Sequence, residues 1–243
     1  MPAHDRMRFY GLHAVQAALL NPARPVYRLI ASRNALQRLG DAAARRGVDI
    51  EEASPRQLER LVGQDSVHQG LVLEVGPLAQ RALTDVISAQ PAPAVLLALD
   101  QVEDPRNVGA ILRSATAMGA DAVIIPERGS ALLGPLCAKA ASGGLDIVPV
   151  VGVANLAQSL LTLREEGFWS LGLDGAADLA IEAAPRYPRT VLVVGSEGRG
   201  LRRLTGEHCD LMVKLTIDPR MESLNVSVAA GIALYTLRHP GRS

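Results

Sequence analysis

Three short polar segments stand at the ends of apolar runs, and together they hold most of the side chains able to do chemistry. In the first, Leu99-Asp100-Gln101-Val102-Glu103-Asp104-Pro105 leads to Asn107 and, between one and two helical turns further on, to Arg113. The second, Gly195-Ser196-Glu197-Gly198-Arg199-Gly200, sets a carboxylate among three glycines. In the third, Glu222-Ser223-Leu224-Asn225-Val226-Ser227, hydroxyls and an amide stand at the start of the last helix. Amides, hydroxyls, a guanidinium and a carboxylate form a hydrogen-bonding set for a polar or anionic ligand, and the first turn of a helix adds unpaired backbone donors to it. Taken singly, each segment also reads as plain structure: Asn107 capping a helix that bears a solvated arginine, a glycine turn, and Ser223 capping the last helix.

Other chemistries fit less well. The glycine order is G-x-x-G-x-G, not the dinucleotide order G-x-G-x-x-G, and neither a Walker lysine nor a serine in G-x-S-x-G accompanies it. That speaks against a nicotinamide-dependent dehydrogenase. Cys137 and Cys209 lack zinc spacing, and His4, His13, His68, His208 and His239 are scattered, so neither a metal site nor a disulfide framework is expected.

The elements that must carry these segments alternate along the chain. Leu12 to Leu20 reads as a helix, Val26 to Ala31 as a strand, and Asn34 to Arg46 as a helix stopped by Gly47. Val48 to Glu52 reads as a strand, Ser54-Pro55 opens another helix, and Leu71 to Val75 closes a small α/β unit as its third strand. Pro77, Pro91 and Pro93 mark a linker with one apolar piece at Leu83 to Ile87. Beyond it, Val95 to Leu99, Ala122 to Ile125, Ile147 to Val151 and Val191 to Val194 are nearly continuous apolar runs separated by helical segments. Such runs predict a parallel sheet covered on both faces, whose strand ends are where ligands of open α/β sheets bind. Leu211 to Ile217 is strand-like, and Leu224 to Leu237 is the last helix, with Gly231 in its middle signalling close packing. The organisation predicted is residues 1–76, a linker at 77–93, and a second domain at 94–243.

Composition sets the remaining bounds. The 243 residues carry 25 basic and 25 acidic side chains, so bulk charge does not drive nucleic-acid binding, although charge can still segregate by face. Lysine occurs only at Lys139 and Lys214; arginine supplies the rest and suits fork-shaped phosphate contacts. An aromatic content of 3% argues against a surface built of stacking platforms. Met1 to Tyr10 has no apolar leader and no stretch is long and apolar enough to span a bilayer, so a cytoplasmic location without membrane contact is expected.

In this order, the three polar segments resemble the signature motifs of the SpoU (TrmH-like) branch of the SPOUT methyltransferases. Phe9-Tyr10-Gly11-Leu12-His13-Ala14-Val15 and His68-Gln69-Gly70 are similar to the L30e-like substrate-binding domain of its RlmB-type 23S rRNA guanosine 2′-O-methyltransferases. The resemblance covers essentially the whole chain. It implies an α/β fold with a smaller N-terminal domain that binds RNA and a C-terminal domain whose parallel sheet is tied in a deep trefoil knot. It also implies S-adenosyl-L-methionine as methyl donor, no metal, and a homodimer whose interface completes the site. Carried over by motif position, Asn107, Arg113, Glu197, Ser223 and Asn225 are catalytic, Ser227 meets the substrate, and Gly195, Leu215, Ile217 and Leu224 hold the donor through backbone. Leu215-Thr216-Ile217 departs from the Ile-Pro-Met usual in the family.

The reaction so implied is attack of a ribose 2′-hydroxyl on the sulfonium methyl, with much of the rate coming from alignment. Arginine does not readily accept a proton, so Arg113 is expected to anchor phosphate and Asn107 to hold Arg113 or the ribose. Asn225 and Ser223 would hydrogen-bond near the acceptor, and Glu197 would orient the cluster. The alternatives are a tRNA or other rRNA substrate, or an RNA-binding ribosome-assembly protein that keeps the fold without turnover. The intact set Asn107, Arg113, Glu197 and Asn225 speaks against the last.

Overall fold

The computed structural model describes residues 6–127 and 133–239. Residues 1–5, which include His4 and half of the polar N-terminal stretch, lie outside it. The chain forms two sheets, one of four strands and one of seven.

The smaller sheet is built from β1 (Met7–Tyr10), β2 (Val26–Ala31), β3 (Asp49–Glu52) and β4 (Leu71–Val75), in the order β1-β4-β2-β3. β4 pairs antiparallel with both neighbours, and β3 runs parallel to β2. Packed with it are α1 (Leu12–Leu20), α2 (Arg33–Leu39), α3 (Ala42–Arg46) and α4 (Pro55–Val62). One helix predicted over Asn34 to Arg46 is two, because Gly40 takes a φ of 69° between them. The first of these begins at Arg33, one residue before the predicted start, with Ser32 at its cap position. β1 was not expected; four residues with two arginine or methionine positions carry little pattern, and pairing with β4 makes the strand. Ser54 and Gln57 form the capping box that opens α4.

A helix, α5 (Leu83–Ala89), occupies the segment read as a linker. The larger sheet follows with β5 (Ala94–Leu99), β6 (Ala122–Pro126), β7 (Val150–Val153), β8 (Trp169–Leu173), β9 (Leu179–Ala180), β10 (Arg189–Val194) and β11 (Leu211–Lys214). Their order is β7-β6-β5-β10-β8-β11-β9 and every pairing is parallel. One face is covered by α6 (Pro105–Ala117), α7 (Pro135–Ala141) and α10 (Val226–Arg238), the other by α5 and α8 (Leu156–Glu165). The short α9 (Arg203–Glu207) precedes β11. Burial on both faces is why β5, β6 and β10 read as unbroken apolar runs. β8 and β9 escaped that reading: Ser170 and Gly172 interrupt the first, and the second is two residues long. The strand predicted at Ile147 begins at Val150, since a turn of 3-10 helix at Gly144–Asp146 precedes it.

The register brings the site together. Val194 of β10 lies opposite both Leu99 of β5 and Leu173 of β8, so the chain leaves β5 and β10 side by side at one edge. The Asp100 backbone N–H donates to the Val194 carbonyl at 2.8 Å and continues that pairing beyond the strand.

Candidate active site

α6 starts three residues earlier than an Asn107 cap would place it. Asp104 is the cap, accepting from the Arg106 N–H at 2.8 Å, and Pro105 occupies the first helical position where its missing donor costs nothing. Asn107 therefore sits within the first turn of α6. The helix lies almost on α7, for a Cβ at Gly109 would stand 2.5 Å from the Cys137 carbonyl oxygen and 2.6 Å from the Ala140 Cβ.

The glycine loop closes on itself. The Ser196 N–H donates to the Gly200 carbonyl at 3.1 Å, and the Gly200 N–H donates back at 3.0 Å, with Gly198 at a φ of 80° and Gly200 at 64°. At Gly195 any Cβ would collide with the Gly200 backbone, so the glycine is required by the chain's own close approach. Asp100, wholly buried, secures the exit of the loop: Oδ2 accepts from the Arg202 N–H at 2.8 Å and Oδ1 from Arg202 Nε at 2.6 Å. Asp100 is not among the expected site residues. Its signal was an acid directly after a fully apolar strand, where only a partner supplied by the fold can satisfy it.

α10 starts at Val226, with Asn225 and not Ser223 as its cap. Asn225 Oδ1 accepts from the Ser227 N–H at 2.9 Å and from Ser227 Oγ at 2.5 Å. Its amide nitrogen donates to Asn107 Oδ1 at 3.2 Å and also to Glu197 Oε1. That same carboxylate oxygen accepts from Asn107 Nδ2 at 3.2 Å and from the Val226 N–H at 3.3 Å. Glu197 thus joins α6, the glycine loop and the start of α10, where a negative charge is favoured by the helix dipole. The turn before α10 is held by a two-pronged pair, Arg220 Nε and Nη2 each 2.9 Å from an Asp218 oxygen, and this neighbour lowers the Asp218 pKa.

Four of the expected residues, Asn107, Glu197, Asn225 and Ser227, therefore meet. Arg113 does not join them: it is exposed and makes no hydrogen bond or ion pair among the described residues. Six positions at about 100° each turn it roughly 120° around the helix from Asn107. Ser223 is likewise exposed without a side-chain partner among them. Leu215, Ile217 and Leu224 are half-buried, and Leu215 packs on the core. Among the described residues no group of His, Cys, Asp or Glu is placed to hold a metal, and no helix is long and apolar enough to cross a membrane.

An open parallel sheet whose adjacent strand ends, a closed glycine loop and a helix start gather around one carboxylate defines a ligand-binding α/β protein of the kind used by group-transfer enzymes. Residues 94–235 match the SpoU rRNA Methylase family, and residues 9–81 match the family described as RNA 2'-O ribose methyltransferase substrate binding. The chain belongs to the SpoU rRNA methylase family. It is 40% identical to the 23S rRNA (guanosine-2'-O-)-methyltransferase RlmB of Pseudomonas putida over 235 residues, covering 94% of each chain. The protein of that name from Escherichia coli (strain K12) is also 40% identical, over 93% of this chain and 95% of its own. The fold matches the SpoU methyltransferase AviRb from Streptomyces viridochromogenes, solved with AdoMet, at a TM-score of 0.81 and 22% identity, covering 97% of this chain and 90% of that one.

Proposed function

We propose that this chain transfers a methyl group from S-adenosyl-L-methionine to the ribose 2′-hydroxyl of a guanosine in 23S rRNA, in the peptidyl-transferase region. We place it in the cytoplasm as a homodimer that uses no metal. The observation that carries this reading is the convergence of Asn107, Asn225 and the Val226 N–H on Glu197 Oε1, which builds a preorganised polar site from three remote segments. Support for the substrate comes from the near full-length similarity to enzymes named for 23S rRNA guanosine 2′-O-methylation. The proposed division is an RNA-binding domain at 1–76, a linker at 77–93 and the methyltransferase domain at 94–243, with the family's knot tied in the last.

The loops fit a donor held through backbone. Leu215, Ile217 and Leu224 are half-buried, and their N–H groups make no hydrogen bond among the described residues, which leaves polar backbone for an adenine edge. Backbone contacts do not involve the Thr216 side chain, so donor binding should survive its replacement of the usual proline. Bound beside Gly195, the donor supplies a sulfonium methyl open to in-line attack by oxygen.

The chain's own groups align that oxygen. Glu197 fixes the two amides through Oε1, and Oε2 takes no protein hydrogen bond among the described residues, so it can accept from the ribose hydroxyl. Asn107, locked to Asn225, keeps one amide N–H for the sugar or its phosphate, and Ser227, whose proton goes to Asn225, can still accept through its hydroxyl oxygen. Ser223 lies at the open rim, where a bound nucleotide can reach it. Arg113, a planar fork of five donors with no acceptor, anchors phosphate, and it does so across a dimer interface. The apolar stripe Val228, Ile232 and Tyr235 on α10 is 49%, 44% and 55% exposed and recurs at helical spacing, as a face awaiting a second copy does. α10 meets α6 at Gly231 and Ser114, next to Arg113, so covering this face carries Arg113 toward the partner's site.

The test is transfer of labelled methyl to total RNA from cells lacking the gene, followed by mapping of the modified nucleotide. A 2′-O-methylguanosine in 23S rRNA is expected. Arg113→Ala should keep the fold and donor affinity and lose transfer; unchanged turnover would remove Arg113 from the mechanism.

A further inference from the structure

Two motifs of the N-terminal unit take no part in the cluster around Glu197. Phe9-Tyr10-Gly11-Leu12-His13 and His68-Gln69-Gly70 instead meet each other and α7. Gln69 stands at a φ of 55°, a left-handed conformation unusual for a residue with a side chain. Its Oε1 accepts from the Leu12 backbone N–H at 3.0 Å and from Lys139 Nζ at 3.2 Å, while Arg38 Nη2 donates to its carbonyl at 2.6 Å. Lys139 Nζ lies 5.9 Å from the centre of the Tyr10 ring and fills the space that a Cβ at Gly11 would need. Burial lowers the pKa of this ammonium, in keeping with a group drawn into an interface.

A second contact lies beyond it. Arg24 and Asp146 have side chains only 2% exposed, with Arg24 Nε 2.7 Å from Asp146 Oδ1. Asn21 Nδ2 donates to the same oxygen at 3.1 Å, and Arg24 Nη1 donates to the Gly76 carbonyl at 3.1 Å. The guanidinium also sits 5.0 Å over the Phe9 ring. A buried ion pair adds little net stability, because both charges lose their water, yet an orientation that leaves either charge unpaired is heavily penalised. Such a pair selects one docked arrangement over its neighbours.

The receiving residues stand on elements that hold the site. Asp146 ends the turn whose Gly144 has no room for a Cβ, the Leu112 carbonyl oxygen of α6 lying 2.8 Å from where it would be. Lys139 is on α7, into which α6 packs at Gly109. α6 in turn carries Asn107 and Arg113. We infer that Gln69 with Lys139, and Arg24 with Asp146, are latches that hold the N-terminal unit at one distance and angle from Glu197 and so select which nucleotide of a bound RNA reaches the site. The four are positioning residues that act through the docked unit. The inference rests on the RNA methyltransferase reading above.

The test uses the full chain as Lys139→Met, Asp146→Asn and the double variant. Scattering and proteolysis within residues 77–82, ahead of α5, report docking, and methyl transfer to an rRNA fragment that spans both units reports selection. The double variant should expand and be cut faster. Its KM for that fragment should rise about tenfold with kcat and donor affinity within about twofold, and methyl should spread to neighbouring nucleotides. A double variant that opens yet keeps the same KM and methylated position overturns the inference, as does one that stays closed. If Asp146→Asn does not fold, Gln69→Leu with Lys139→Met removes the Gln69–Lys139 latch alone at an exposed residue, and an unchanged KM and methylated position in that variant overturn the inference. A wild-type chain that methylates no RNA removes the function itself, whereas an active wild type with latch variants that behave like it removes only the latches.

Discussion

Glu197 shows how much one carboxylate can organise. Oε1 takes two side-chain amides and a helix N–H, so its charge serves the helix start as well as the amide pair. Glu197→Gln keeps the volume and one acceptor but loses the charge. Its cost in stability should be about 0.5–1 kcal/mol, while methyl transfer should fall far more, by about a hundredfold. Thermal unfolding set beside single-turnover transfer measures both. The two cysteines have a different consequence. Burial pushes both thiols up to about 12, with Asp210 and Asp100 adding to the effect at Cys209. The folded chain then holds protons that the unfolded chain releases above about pH 8.5, so this stability is present below that pH and is lost as pH rises toward the folded value. The urea midpoint should fall between about pH 8 and pH 10.5, and fall less in Cys137→Ala, which has one fewer such thiol.

Among the elements, α6 is the one on which the site depends most. Its start is set by Asp104 and Pro105, its middle rests on α7 through Gly109, and its far side meets α10 at Ser114. Gly109→Val places methyl groups where the Cys137 carbonyl and Ala140 already are, and should cost about 1–3 kcal/mol or more by overpacking. Because the displaced helix carries Asn107, methyl transfer should weaken along with stability, and single-turnover transfer set beside thermal unfolding can detect both. A variant as stable as wild type would show that α6 and α7 can part without strain. The glycine loop obeys the same logic. Gly195 is needed for contact with Gly200, and the Asp100–Arg202 pair keeps the loop's exit fixed against β5.

At the scale of the whole molecule, the protomer leaves Arg113 outside its own cluster and an apolar stripe uncovered on α10. Both fit a site completed by a second copy. Ile232→Glu, a charge in the middle of the stripe, should give monomers in sedimentation at micromolar concentration. It should leave the protomer's unfolding nearly unchanged and abolish transfer. A dimeric Ile232→Glu protein would move the interface elsewhere. The N-terminal unit meets the same helical layer through Lys139 and Asp146, so packing on α6 and α7 links that unit to the cluster around Glu197.

The sequence by itself determined the parallel sheet, through apolar runs that burial on both faces requires, and it marked the polar segments that end those runs. It also determined which residue types meet at the site, since the identities of Asn107, Glu197, Asn225 and Ser227 are local facts. Tertiary structure alone decided who caps what. Asn107 and Ser223 are good caps in isolation, but Pro105 fixes the start of α6, and Glu197 draws α10 to begin at Asn225. It alone decided that β1, β8 and β9 are strands, because short or glycine-broken pieces gain their hydrogen bonds only from neighbours. The burial of Asp100, Arg24 and Asp146 was hidden for the same reason: a charge's partner lies across a hundred residues of chain, and periodicity reports only which way a residue faces on its own element.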